Sequence, residues 1–246
     1  RLRGGGFGGG APDEPQYSTN GAELDYMLPT QARSIQMEIV SASGETMRSF
    51  ESTEPGMTTE TGQEMRGPFQ RNTGAAAPTL NQGLNRFVWN FTVPGPGGSG
   101  RGPLVVPGRY TARLTVDGQT SERSFEVIMD PRVAADGVTQ ADLQAQYDLG
   151  IQVRTAIEDA DATIERLQGA QVRAAEGSDV ADDLKEIERA LLTDRTITSY
   201  PEPMLRDQFN YLYGNTQRAD QKPAADMYER LEILVTELEE HKQRLQ

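Results

Sequence analysis

From about residue 22 to residue 129 the apolar positions recur every second residue. ELDYML aligns Leu24, Tyr26 and Leu28. SIQMEIV places Ile35, Met37 and Ile39 on one face and Gln36 and Glu38 on the other. Ser43-Gly44 reads as a turn, and ETMRSF as a strand after it. GLNRFVWNFTV puts Phe87, Trp89, Phe91 and Val93 on one side, with Arg86, Val88, Asn90 and Thr92 on the other. GRYTARLTV aligns Tyr110, Ala112, Leu114 and Val116. SFEVIMD returns with Phe125, Val127 and Met129. Between these two lies Asp117-Gly118, a dipeptide that tolerates positive φ and marks a tight hairpin. This alternation predicts half-buried strands of antiparallel sheets, and their number and turns predict a small β-sandwich.

At DPRV, residues 130–133, the period changes to that of a helix. Thr139 is a candidate N-cap, with Asp142 three residues on in the spacing of a capping box. Residues 140–175 predict a long helix with Leu149, Val153, Ala156, Ala160, Ile164 and Leu167 near one stripe. Gly177-Ser178 breaks it. A second helix carries Val180, Leu184, Ile187 and Leu191. Pro201 and Pro203 open a third, with Leu205, Phe209 and Leu212. Pro223 stands near the start of a fourth, whose seam is Met227, Leu231, Leu234, Leu238, His241 and Leu245. Four amphipathic helices with short connections predict an antiparallel bundle. The expected fold class is therefore α+β as two segregated domains. Residues 21–131 form an Ig-like or fibronectin-like antiparallel β-sandwich, and residues 132–246 an antiparallel four-helix bundle.

Three stretches fall outside both periods. RLRGGGFGGGAP holds six glycines in twelve residues, and residues 1–20 read as a flexible segment. Residues 51–83 are rich in Thr, Gly, Glu and Pro, and residues 94–108 in Pro and Gly; neither composition packs a core of its own. A 33-residue loop in a compact domain is either mobile or an arm that docks on a partner.

Composition narrows the function. No apolar run of about 18 residues exists, so no transmembrane segment is expected. The first residue is Arg1 with no signal-like apolar stretch after it, as expected of a processed chain or a piece of a longer product. There is no cysteine, which excludes disulfides, thiol catalysis and zinc–thiolate sites. The formal charge is −13, and it is uneven: residues 1–130 hold 14 acids and 11 bases, residues 131–246 hold 23 acids and 13 bases. Such a surface repels phosphate backbones, so no nucleic-acid partner is expected.

Candidate chemistry is sparse. His241 is the sole histidine and falls on the apolar seam of the last helix, with Glu237, Glu240 and Lys242 around it; it reads as a packing or surface residue. No GxSxG elbow supplies a serine for a triad built on it. The acidic runs Glu158, Asp159, Asp161, Glu165 and Asp182, Asp183, Glu186, Glu188 read as solvated helix faces rather than a glycosidase pair. No DxDxDG loop argues for calcium. Asn90-Phe91-Thr92 matches a glycosylation sequon but lies inside a predicted strand. In FNYLYGN, residues 209–215, Phe209, Leu212 and Tyr213 face the predicted core and Tyr211 points elsewhere. No catalytic, cofactor-binding or metal-ligating residue is assigned, no cofactor is expected, and a small-molecule ligand is not expected. The alternation assigns Trp89, the single tryptophan, to the buried strand face, packed against Tyr110, Leu114, Phe125 and Val127.

Several segments taken together resemble a known family. GLNRFVWNF, then GPLVVPGRYTARLTVDGQTSERSFEVIMDPRV, then TQADLQAQYDLGIQVRTAI, then YLYGNTQRADQKP resemble the C-terminal region of bacterial secreted sortilin-like, BNR-repeat propeller proteins, often labelled glycosyl hydrolase. The resemblance covers most of residues 20–246. In that family a β-propeller is followed by an Ig-like sandwich and a helical tail. This chain has no S-x-D-x-G-x-T-W Asp-box, so the propeller's activity does not carry over and no catalytic residue maps here. The resemblance implies a periplasmic or extracellular address, or one peripheral on the envelope. The expected function is a non-catalytic structural or interaction module, an extrinsic subunit or processed C-terminal fragment that stabilises a larger envelope assembly. Its expected partners are proteins, including a membrane complex bound from outside. The alternative is a carbohydrate-binding or auxiliary module of a glycosyl hydrolase-like protein; a passive spacer is the third option.

Overall fold

The structure, a computed structural model, describes residues 21–53, 77–98, 100–196, 198 and 200–245. The expectations for residues 1–20, and for most of the 51–83 loop, lie outside the described residues. The described chain divides into two compact units. One holds the residues up to Pro94 and those from beyond Gly98 to Arg132; the other holds Gly95–Gly98 and everything from Val133.

The first unit has two antiparallel sheets. Strands β1 (Ala22–Leu28) and β4 (Gly83–Trp89) make one, and β3 (Thr46–Thr53), β2 (Ser34–Ser41), β5 (Gly108–Val116) and β6 (Gln119–Val127) make the other in that order. The period-2 pattern explains the core. Tyr26, Leu28, Ile35, Met37, Ile39, Phe50, Phe87, Trp89, Tyr110 and Ala112 are all buried. A bulge between Ile39 and Val40 lets two successive side chains turn inward. Aromatic contacts tie the two sheets together. Phe50 of β3 meets Phe87 of β4 at 4.7 Å between ring centroids, and Trp89 meets Tyr110 at 5.7 Å and Phe125 at 6.1 Å. At the hairpin tip Asp117 (φ 46) and Gly118 (φ 86) both take the left-handed conformation, as a tight antiparallel turn requires. Asp117 also accepts the Arg33 and Ser34 amides at 3.0 and 2.9 Å, which pins the tip to the start of β2.

The strand expected to run on to Val93 stops at Trp89. Phe91 has φ 61, and this turn ends the alternation, so that Thr92, expected outward, is fully buried beside Val93. The glycosylation sequon consequently lies beyond the strand, with the Thr92 hydroxyl donating to Asn90 Oδ1 at 2.7 Å.

The Pro/Gly-rich 94–108 stretch packs no core of its own but adds Val105 to the core of the sheets. It folds back so that Val93 N donates to Pro103 O, Gly102 N to Val93 O and Val105 N to Phe91 O, and Val105 is 1% exposed. Gly102 permits the fold-back, because a Cβ there would stand 2.2 Å from the Pro94 carbonyl oxygen. Arg48 closes the structure: its guanidinium donates to Thr92 Oγ1, Val93 O and Gly100 O at 2.9–3.0 Å and lies over the Phe50 ring. Strand β3 itself runs to Thr53, into the stretch expected to be loop. At the far end of that stretch Thr79 and Leu80 are bonded to Tyr26 and Ala32.

A short helix not foreseen at the boundary, α1 (Pro131–Ala135), opens the helical part, seeded by Asp130 accepting the Arg132 amide at 2.9 Å. Then come α2 (Gln140–Arg173), α3 (Asp179–Leu191), α4 (Leu205–Thr216) and α5 (Ala225–Arg244). Thr139 and Asp142 form the full capping box, and Ser178 caps α3. One apolar core joins α2 to α5, centred on Leu149, Val153, Ile157, Leu167, Phe209 and Leu234. Val180, expected on the α3 seam, is 61% exposed in the first turn of that helix.

The helices do not alternate in direction throughout. Asp161 bonds Arg206 and Gln146 bonds Thr216, so α4 runs antiparallel to the first part of α2, while α3 meets its last part through Gln171 and Glu188. Gln146 also reaches Ala219 and Gln221, just before α5, and Asp159 reaches Lys242 near its end, so α5 runs parallel to α2. Helix length explains this. At about 1.5 Å per residue, α2 spans about 51 Å, and α3 and α4 must lie in series to cover it.

Candidate functional site

The residues with chemical potential are used within the helical unit. Asp161 receives a two-pronged fork from Arg206, at 2.8 and 3.0 Å. The carboxylate raises the already high pKa of that guanidinium. Asp159 takes Lys242 at 2.8 Å, and Glu239 takes the same ammonium at 2.6 Å, which raises the lysine's pKa. Glu186 pairs with Arg244, and Glu188 accepts from Gln171. Glu158 accepts the Gly97 amide at 3.2 Å and lies 3.9 Å from Arg154. The acidic runs are thus more than solvated faces: Asp159, Asp161, Glu186 and Glu188 link one helix to another. Among the described residues no group of three or more His, Asp and Glu is arranged to hold a metal ion.

His241 lies half-buried on the α5 seam between Leu238 and Leu245, its Nδ1 turned inward without a hydrogen-bond partner. Phe209 and Leu212 are buried, while Tyr213 is partly buried and its hydroxyl pKa is raised by that burial. Tyr211 is 66% exposed, beneath the Arg218 guanidinium. Trp89 is fully buried and donates Nε1–H to Thr92 O at 3.1 Å. Of its expected neighbours Tyr110 and Phe125 make ring contacts, and Phe91 adds a third at 5.6 Å. The sheet aromatics therefore offer no exposed platform.

A groove of about 410 Å³ lies open between α2 and α5. Ile151, Tyr228, Leu231 and Val235 form its apolar lining, and Gln152, Thr155 and Glu232 its polar border. On α5 the stripe Tyr228, Glu232, Val235, Glu239 follows helical spacing beside the buried seam. On α2 the matching stripe is Asp148, Gln152, Thr155, Asp159. Four of these positions are carboxylates, and Lys242 is the base bonded among them. Sequence reasoning takes only the α5 seam from Met227 to Leu245. A signal for the groove is present in Tyr228 and Val235, apolar residues one position off that seam.

Comparison with known proteins finds no family model that matches the chain and no curated protein that matches it. No described helix is long and apolar enough to cross a membrane.

Proposed function

We propose that this protein is a non-catalytic interaction module, an Ig-like β-sandwich joined to a helical domain, that holds protein partners together in a larger assembly. The observation that carries the proposal is the open apolar groove along α2 and α5, in a domain where Asp159, Asp161, Glu186 and Glu188 tie its own helices together. The Ig-like reading is supported by strand order. The sheet β3-β2-β5-β6 follows the C′-C-F-G order of such domains. Tyr110, early in β5, donates its hydroxyl to Val106 O four residues upstream at 2.7 Å, as the tyrosine corner of that fold does.

The address is proposed to be outside the cytoplasm, with the chain acting as an extrinsic subunit or C-terminal part of an envelope assembly. That part rests on the resemblance to secreted propeller proteins alone. The carbohydrate-binding alternative would draw on sheet aromatics, and Phe50, Phe87, Trp89 and Tyr110 are buried, with the half-buried Phe125 packed on Trp89 and Tyr110. Affinity purification of the tagged chain from native envelope extract tests the proposal. The expected result is co-purification of a stoichiometric protein partner that survives washing. A free monomer with no stable neighbour overturns it.

A further inference from the structure

We infer that the α2–α5 groove is the docking site for a cationic amphipathic helix of a partner protein. The inference rests on the interaction-module reading and names its site and the chemistry of what it takes.

The helix arrangement leaves a place for such a helix. α4 packs on α2 from one side and on α5 from another, so this half of the unit has three helices in cross-section. Parallel α2 and α5 leave a seam between them on the side away from their shared core. A fourth helix laid there meets apolar side chains at helical spacing: Ile151 from α2, with Thr155 beside it, and Tyr228, Leu231 and Val235 from α5. This is the helix-in-groove mode, in which an apolar stripe at i, i+3, i+4 and i+7 supplies the contact. Tyr228 is 40% exposed and Val235 37% exposed, so the lining is open to such a partner.

Charge selects the occupant. Glu232 borders the groove, Asp148 lies one turn before Ile151 on α2, and Glu239 one turn after Val235 on α5. Asp159 completes the set, and Lys242 offsets part of it from its bonds to Asp159 and Glu239. An acidic rim around an apolar floor complements a helix with leucine-like residues on one face and Lys or Arg along its flanks. The same field argues against other occupants. Residues 131–246 carry a net charge of −10, so a second copy of this unit would bring like charge to like, and an anionic lipid surface would be repelled.

Full-length protein is titrated, by fluorescence anisotropy, with two labelled synthetic helices of about 16 residues, about 24 Å long. Both carry leucine at i, i+3, i+4 and i+7; one has Lys and Arg flanks, the other Glu flanks. The cationic helix is expected to bind and the acidic one not. Val235→Arg and Glu232→Lys, at partly or fully exposed positions, should each weaken binding about tenfold or more, as removal of a central contact does. Ile233→Arg, on the same helix but facing away from the groove, should leave binding within about twofold. No binding, equal binding of both peptides, or equal loss in Val235→Arg and Ile233→Arg overturns the inference.

A photo-crosslinking residue at Val235 and another at Leu84 of the sheet unit separate this inference from the broader reading. A partner segment rich in Lys and Arg captured at Val235 supports both. Capture at Leu84 alone removes the groove and keeps the interaction module, and capture at neither removes both. Capture of a second copy at Val235 removes the cationic partner.

Discussion

Replacing Trp89 with alanine tests the sheet unit at its centre. The side chain is fully buried, meets three aromatic rings between 5.6 and 6.1 Å, and donates a hydrogen bond to Thr92 O. A tryptophan buries about 150–250 Å², which at about 25 cal/mol per Å² is about 4–6 kcal/mol of transfer free energy. Alanine retains its Cβ and the cavity relaxes in part, so the net cost expected is about 3–5 kcal/mol. Each lost aromatic pair adds about 0.5–1.5 kcal/mol. Single domains are stable by only about 5–15 kcal/mol, so Trp89→Ala should leave the sheet unit largely unfolded at room temperature. Trp89→Phe keeps a ring and loses the indole hydrogen bond, and should cost about 1–2 kcal/mol. Because Trp89 is the single tryptophan, its emission reports on the sheet unit while circular dichroism follows the helices. Native emission should be blue-shifted and resistant to acrylamide, and the guanidinium midpoint should fall steeply in the alanine variant. A red-shifted, readily quenched native tryptophan, or a midpoint moved no more than by a surface substitution, would refute the packing argument.

Arg48→Met removes both the guanidinium over Phe50 and the donors to Thr92, Val93 and Gly100, so it should cost about 1.5–3 kcal/mol and expose the 94–108 segment to protease. Asp117 holds two backbone amides, and the first of these, from Ser34, does most to lower its carboxyl below the ordinary 3.8. A lowered folded value stabilises above the unfolded pKa and is lost as pH falls through the folded one. An acid titration should therefore show a destabilising component below about pH 4 that Asp117→Asn removes. Asp161→Asn breaks a half-exposed fork to Arg206 and should lower stability by less than about 1 kcal/mol, with the difference from wild type shrinking at high salt. Val180→Glu, at an exposed site, should change the melting temperature little, whereas Leu184→Ala on the buried seam should cost about 2–4 kcal/mol.

Locally encoded features were legible in the sequence. Period 2 marked Ile35, Met37 and Ile39 because side chains alternate along any strand, and helical spacing marked Leu149 through Leu167 because one face repeats along any helix. The Thr139–Asp142 box and the Asp117-Gly118 tip each depend on residues at most three apart. What escaped was set at a distance. Arg48 finds Thr92 and Gly100 more than forty residues away, and Lys242 finds Asp159 across 83. Alternation carried past Trp89 failed at Phe91, where a single positive φ breaks the strand and Thr92 is buried as well as Val93. The antiparallel four-helix expectation treated connections as short and successive helices as alternating in direction. A 34-residue α2 beside 13- and 12-residue partners instead places α3 and α4 in series. The groove was half legible, since α5 carried Tyr228 and Val235 beside its seam, but the α2 stripe facing them is set only by the parallel pairing.

The most direct test of the central claim is the native size of the assembly in gently solubilised envelope material, read by blue native electrophoresis with wild-type chain and Val235→Arg compared side by side. Wild type is expected to migrate in a complex well above its monomer, and Val235→Arg, still folded, to drop to the free chain. Wild type migrating as a monomer would contradict the claim that this protein works by holding partners.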